Sequence, residues 1–187
     1  AITVPDASPA GRVDRRWWFA GAGVLAAVLV LGWRLRAGTD HTAADSPLIG
    51  RPAPDFSLPR LDDPNRRLGN RDLLGEPFLL DVRRRDCPDC DRARPVVDAL
   101  ARSGKVRVVG LVLGEPGDLG TRIAREATPY FAVAVDRDGR AARAWGIRGA
   151  PEAWLVDARG IVRWRHARPL TDDVVAEDIL PTLESAR

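Results

Sequence analysis

Histidine and cysteine each occur only twice in 187 residues, lysine and tyrosine once, and methionine not at all. A structural zinc site takes four thiolate or imidazole ligands. The chain offers only Cys87, Cys90, His41 and His166, spread over three distant places, so no metal is expected. A haem-attachment motif needs histidine directly after its second cysteine, and Asp91 stands there instead. A basic excess is also missing where it would matter. Residues 1–36 hold five arginines and two aspartates (5 − 2 = +3), the whole net charge of +3, while residues 37–187 hold 24 basic and 24 acidic side chains. That balance leaves no footprint for nucleic acid. Arginine outnumbers lysine 28 to 1, which we read as the composition bias of G+C-rich coding DNA. Internal repeats and long low-complexity tracts are lacking too.

The two cysteines stand three apart in "RRRDCPDCDR", residues 83–92, amid four arginines and three aspartates. As a staple the pair is weak. A loop this short is worth under ~2 kcal/mol, against ~3 for a 15-residue loop, and a chain of this length buries a core without it. A redox centre is the preferred reading; an inert pair is the alternative.

Residues 17–33, "WWFAGAGVLAAVLVLGW", carry no charge. As a helix they span about 26 Å, close to a hydrocarbon core of ~30 Å, with tryptophan at both ends. Arg12, Arg15 and Arg16 precede the run, against Arg34 and Arg36 after it. This places residues 1–16 in the cytoplasm and the remainder outside. A cleaved signal peptide is the alternative, but its apolar region is shorter. Residues 34–47 read as a linker, and 48–187 suit one domain.

In that domain, residues 77–82 ("PFLLDV") read as a strand. Helix follows from Cys87, with Pro88 in the first turn and Gly104 as the stop. Residues 105–114 form a valine-rich buried strand, and Asp118 caps a helix through Ala127. "FAVAVDRDG" is a strand entering a turn, "AWLVDARGIVRWRH" a hairpin about Ala158–Gly160, and Thr171 starts the last helix. Alternating strands and helices, then a hairpin and a helix, make the class α/β.

Asp81 six residues before Cys87, Pro95 five after Cys90, and Ala150-Pro151 before the hairpin complete a pattern that resembles the thioredoxin superfamily. "GRPAPDFSLPRL" (50–61) and "WGIRGAPEAWLVDARGIVRWRHARPL" (145–170), with Gly146, Gly149, Pro151, Glu152 and Asp157, narrow it. Together with the anchor they look like the membrane-tethered thiol:disulfide proteins of cytochrome c maturation, the DsbE/CcmG type. The resemblance covers residues 48 to the C-terminus. It implies a thioredoxin-like fold, a central mixed β-sheet flanked by helices, preceded here by one transmembrane helix. Three departures border the cysteines: Asp86 where tryptophan is usual, "RRRD" for a largely uncharged segment, and Ala93 where glutamate is common.

The resemblance also implies roles. Cys87, at the helix start, is the expected attacking thiolate, and Cys90 the more shielded resolving thiol. Asp81 is a candidate proton acceptor for Cys90 if buried with a raised pKa; otherwise it is a strand-end carboxylate paired with an arginine. Glu152 either does similar work or is a surface residue. Pro88, Ala150 and Pro151 are expected to contact substrate, the Ala150–Pro151 bond being cis and lying against the cysteines. The arginine run reads first as a solvated strand end, second as a docking rim for an acidic partner. His166 is assigned no role, and Trp145, Trp154 and Trp164 are assigned to core or sheet faces.

The expected activity is extracytoplasmic thiol:disulfide exchange, without a cofactor, on the inner membrane with the domain on the periplasmic side. Apocytochrome c or its haem-ligation partner is the implied substrate, and a membrane thiol-transfer protein the electron donor. A general thiol reductase and a redox-inactive binding module remain the alternatives.

Overall fold

The computed structural model describes residues 46–119, 123 and 129–185. The expected cytoplasmic segment and anchor, and all of the linker except its last two residues, lie outside these. Among the described residues no helix is long and apolar enough to cross a membrane.

Strand β3 (Phe78–Arg84) is the centre of the domain, and only its last residue is exposed. It pairs in parallel with β4 (Arg107–Leu113) and antiparallel with β6 (Glu152–Val156). Outside these lie β5 (Ala132–Asp136), parallel to β4, and β7 (Val162–His166), antiparallel to β6. The result is one mixed five-stranded sheet, ordered β5-β4-β3-β6-β7. A short antiparallel pair, β1 (Ser57–Pro59) with β2 (Arg67–Gly69), precedes it.

Because side chains alternate along a strand, β3 serves two cores. Phe78, Leu80 and Val82 join Trp145 and Trp154 on one face. Leu79 joins Val97, Leu100, Trp164 and Leu183 on the other, beneath helix α1 (Pro88–Arg102) and the C-terminal helix. The three domain tryptophans are buried, as expected.

Helix α1 begins as expected: Cys87 is its N-cap and Pro88 its first residue. Pro at that position forfeits only a donor the helix end leaves unused. The helix stops before Gly104, whose φ of +67° suits glycine. Thr171 caps the last helix by accepting from the Val174 N–H. That helix, α3, runs through Asp172–Val174, winds wide over Val175–Ile179 and tightens again over Leu180–Ser185.

Two boundaries and one whole element stand out against expectation. The segment after β4 turns helical at residue 117, before Asp118; residues 120–122 and 124–128 are not among those described. Helix α2 (Arg140–Trp145) was not anticipated; its start is held by buried Asp136, which accepts from the Ala142 N–H. Strand β3 continues two residues past Val82 because β4 pairs with it as far as Arg84↔Leu113.

Candidate active site

The parallel register carries β3 out of the sheet at Arg84, and a two-residue turn through Arg85 and Asp86 delivers Cys87 to the start of α1. Asp86 takes a φ of +54°, a left-handed conformation that aspartate tolerates better than most side chains. Cys87 and Cys90 are joined in a disulfide. The Cys90 N–H donates to Cys87 Sγ at 3.1 Å, so the sulfur at the helix start already receives one of the free amide donors there. The expected contrast in exposure is small in this oxidised pair: Cys87 is 6% exposed and Cys90 4%. Access differs nonetheless. A groove of about 330 Å³ opens onto Cys87 and Pro88, with Arg84, Arg85, Asp118 and Leu119 on its walls, and Cys90 is not part of it. Arg85 lies across Gly117, where a Cβ would come within 2.8 Å of its guanidinium.

Beneath α1, alternation along β3 turns Asp81 and Arg83 onto the Leu79 face. The Tyr130 hydroxyl donates to Asp81 Oδ2 at 2.7 Å, and the Arg83 guanidinium lies 3.9 Å from the same oxygen. Burial pushes the Asp81 carboxyl above the usual carboxylate range, outweighing the pull of Arg83 and Tyr130. Burial and the neighbouring Asp81 likewise push the Tyr130 phenol well above its usual value of 10.0. Both sequence readings of Asp81 therefore meet in one residue: it is buried with a raised pKa, and an arginine stands beside it.

Arg83 overturns one expectation. It is not part of a solvated strand end, being 2% exposed; its Nη2 donates to the Cys90 carbonyl at 3.2 Å and its Nη1 to the Tyr130 hydroxyl at 3.4 Å. Asp91 approaches it at 3.7 Å. Only Arg84, Arg85 and Asp86 form the exposed rim. Strand period two contained the signal, since residue 83 shares parity with Leu79 and Asp81, but only the strand's true end makes it usable. Tyr130 was missed for want of any local motif.

On the other side of β3, Val82 lies opposite Glu152, which sets residues 150–151 beside the strand's exit toward Cys87. The Ala150–Pro151 bond is cis. Glu152 is not a surface residue: it is buried and accepts from Arg165 Nε at 2.8 Å, while the Arg165 guanidinium lies over the Trp154 ring. Asp157 closes the following hairpin, accepting from the Arg159 and Ile161 N–H groups and from Arg163. No group of three or more side chains suited to a metal occurs among the described residues.

A cysteine pair at a helix start, a buried carboxylate on the strand that leads to it and a cis-proline before the neighbouring strand are the parts of a thiol-exchange centre. Residues 49–165 match the AhpC/TSA family. The thiol:disulfide interchange protein DsbE of Xylella fastidiosa (strain 9a5c) is 38% identical over 162 residues, 86% of this chain and 82% of that one. The chain belongs to the DsbE family. The DsbE of Escherichia coli (strain K12) is 36% identical, covering 86% of this chain and 89% of its own. A crystal structure assigned to a DsbE of Chlorobium tepidum superposes with a TM-score of 0.62 at 28% identity, over 72% of this chain and 97% of that one. As in that family, the site is a thiol:disulfide oxidoreductase centre, and its DsbE core is the mixed sheet with α1.

Proposed function

We propose that this DsbE-family chain is an extracytoplasmic reductase of cytochrome c maturation, tethered by residues 17–33 to the inner membrane. Its substrate is the disulfide of apocytochrome c or of its haem-ligation partner, and its electrons come from a membrane thiol-transfer protein. The observation that supports the roles is that the groove is lined by Cys87 and not by Cys90, while the Cys90 N–H donates to Cys87 Sγ.

In the forward reaction the Cys87 thiolate attacks one sulfur of the substrate disulfide. That bond breaks, a Cys87–substrate disulfide forms, and the other substrate sulfur leaves as a thiolate. Cys90 then gives its proton to Asp81 and attacks Cys87, releasing the second substrate thiolate and restoring the Cys87–Cys90 bond. Two electrons pass to the substrate. Pro88 and the Ala150-Pro151 loop border the substrate, and Glu152 anchors that loop through Arg165.

The test is reduction of an oxidised peptide bearing Cys-X-X-Cys-His, the c-type haem attachment sequence, against an unrelated disulfide peptide. Faster reduction of the first supports the maturation role. Equal rates favour a general reductase, the reading to which the charged Arg84–Asp86 rim lends weight. No dithiothreitol-linked reduction of insulin would leave a binding module.

A further inference from the structure

Arg83 is a charge in an uncommon place. A guanidinium out of water is costly unless charged partners meet it closely, and fork-to-fork pairing with a carboxylate is its usual arrangement. Here the nearest acidic oxygens stand at 3.7 Å (Asp91) and 3.9 Å (Asp81), and the Asp91 side chain is half exposed to screening water. The same Asp81 oxygen is engaged by the Tyr130 hydroxyl. The short contacts of Arg83 are to neutral groups, the Cys90 carbonyl and the tyrosine oxygen. Asp81 and Asp91 hold the charge in place from a distance, and it is applied, through the hydrogen bond to the Cys90 carbonyl, to the backbone at the helix start that holds both cysteines.

We propose that Arg83 is a positioning residue for the exchange reaction, which fixes the Cys90 backbone and stabilises the thiolate of the reduced pair. The Cys87–Cys90 disulfide is then a stronger oxidant than the same helix start would be with a neutral residue at 83. This rests on the exchange chemistry described above. Stabilising the reduced form of a cysteine pair raises its reduction potential. Other charges face the pair. Asp86, Asp89 and Asp91 on its own segment oppose a thiolate, as does Asp118 across the groove, while Arg84, Arg85 and Arg92 favour it; all seven are in contact with water, which screens them. Among the buried groups Asp81 opposes the thiolate, Asp98 farther along α1 is paired with Arg94 and Arg102, Tyr130 is neutral, and Glu152 is tied to Arg165. Arg83 is the buried cation at the turn.

The experiment equilibrates the full chain with glutathione. Two glutathione thiols become one glutathione disulfide, the Cys87–Cys90 bond opens to two thiols, and two electrons and two protons pass to the protein. For Arg83→Gln the equilibrium is expected to move about tenfold toward the protein disulfide, or about 30 mV. The pH midpoint of Cys87 alkylation is expected to rise by about one unit. Arg83→Lys is expected to retain most of both values, which a packing role alone would not require. Should Arg83→Gln unfold, Arg83→Met preserves the stem without the charge. Folded neutral variants that match the wild type, a lysine variant no better than glutamine, or unfolding of both neutral variants would each overturn the proposal. A wild type that fails to exchange with glutathione at any poise would instead sink the exchange reading itself.

Discussion

At the scale of single residues the cysteines differ in direction more than in depth. Both are buried, but Cys87 lines the groove and its Sγ accepts an amide hydrogen bond. Alkylation of the reduced protein near neutral pH, followed by peptide mapping, is expected to modify Cys87 well before Cys90; the reverse order would exchange their roles. Asp81 gives a second expectation. Its carboxyl is raised by burial, so the folded state binds its proton more tightly than the unfolded state. Stability from this group therefore declines as pH rises from about 4, the ordinary carboxylate value, through the raised one. Asp81→Asn lacks that loss. Its stability relative to the wild type, from urea unfolding, is expected to improve steadily over the same range, and its release of mixed disulfide to slow by at least about tenfold.

At the scale of elements, the β6–β7 hairpin is tied by one carboxylate. Burial alone would raise Asp157, but the Ile161 N–H, Arg163 and the Arg159 N–H outweigh it and hold the group below the usual carboxylate range. The stability it supplies is present above about pH 4 and is lost as pH falls through its depressed value. Asp157→Ala strips acceptors from two backbone donors and is expected to cost roughly 2–4 kcal/mol by urea unfolding. A loss within experimental error would mean that water replaces the carboxylate. The hairpin was legible in the sequence because "DARG" announces a turn between two strand-like runs. The end of β3 was not. "RRR" reads as polar, and only the β4 register, a contact some thirty residues away, keeps Arg83 in the sheet. Helix α2 was hidden for a similar reason, since its buried face is only Ala141, Ala142 and Trp145 over six residues, too short a run to stand out, and its start rests on the buried Asp136.

At the scale of the whole molecule, the cysteine pair, Asp81, the cis-proline loop and, α2 apart, the order of elements after β3 could all be read from the sequence. The depth of Arg83 and Glu152 could not, because burial of a charge is decided by partners distant in the chain. Beyond residue 36 the sequence carries no net charge, so steering of an acidic partner toward the cysteines is expected to come from local charge such as the exposed Arg84–Arg85 rim. The rate with an acidic partner, trapped first with Cys90→Ser, is expected to fall as salt rises past a Debye length of about 8–10 Å. Replacing Arg84 and Arg85 by serine is expected to flatten that dependence, and a small neutral disulfide to react alike at every ionic strength. Tyr130 adds one consequence at this scale, since it is the sole tyrosine of the chain. With its phenol held well above the usual value in the folded state, the ultraviolet band of tyrosinate stays dark at moderately alkaline pH until the fold opens. A single residue bonded to Asp81 and Arg83 is therefore expected to serve as a native optical gauge of the domain's integrity, with no label attached.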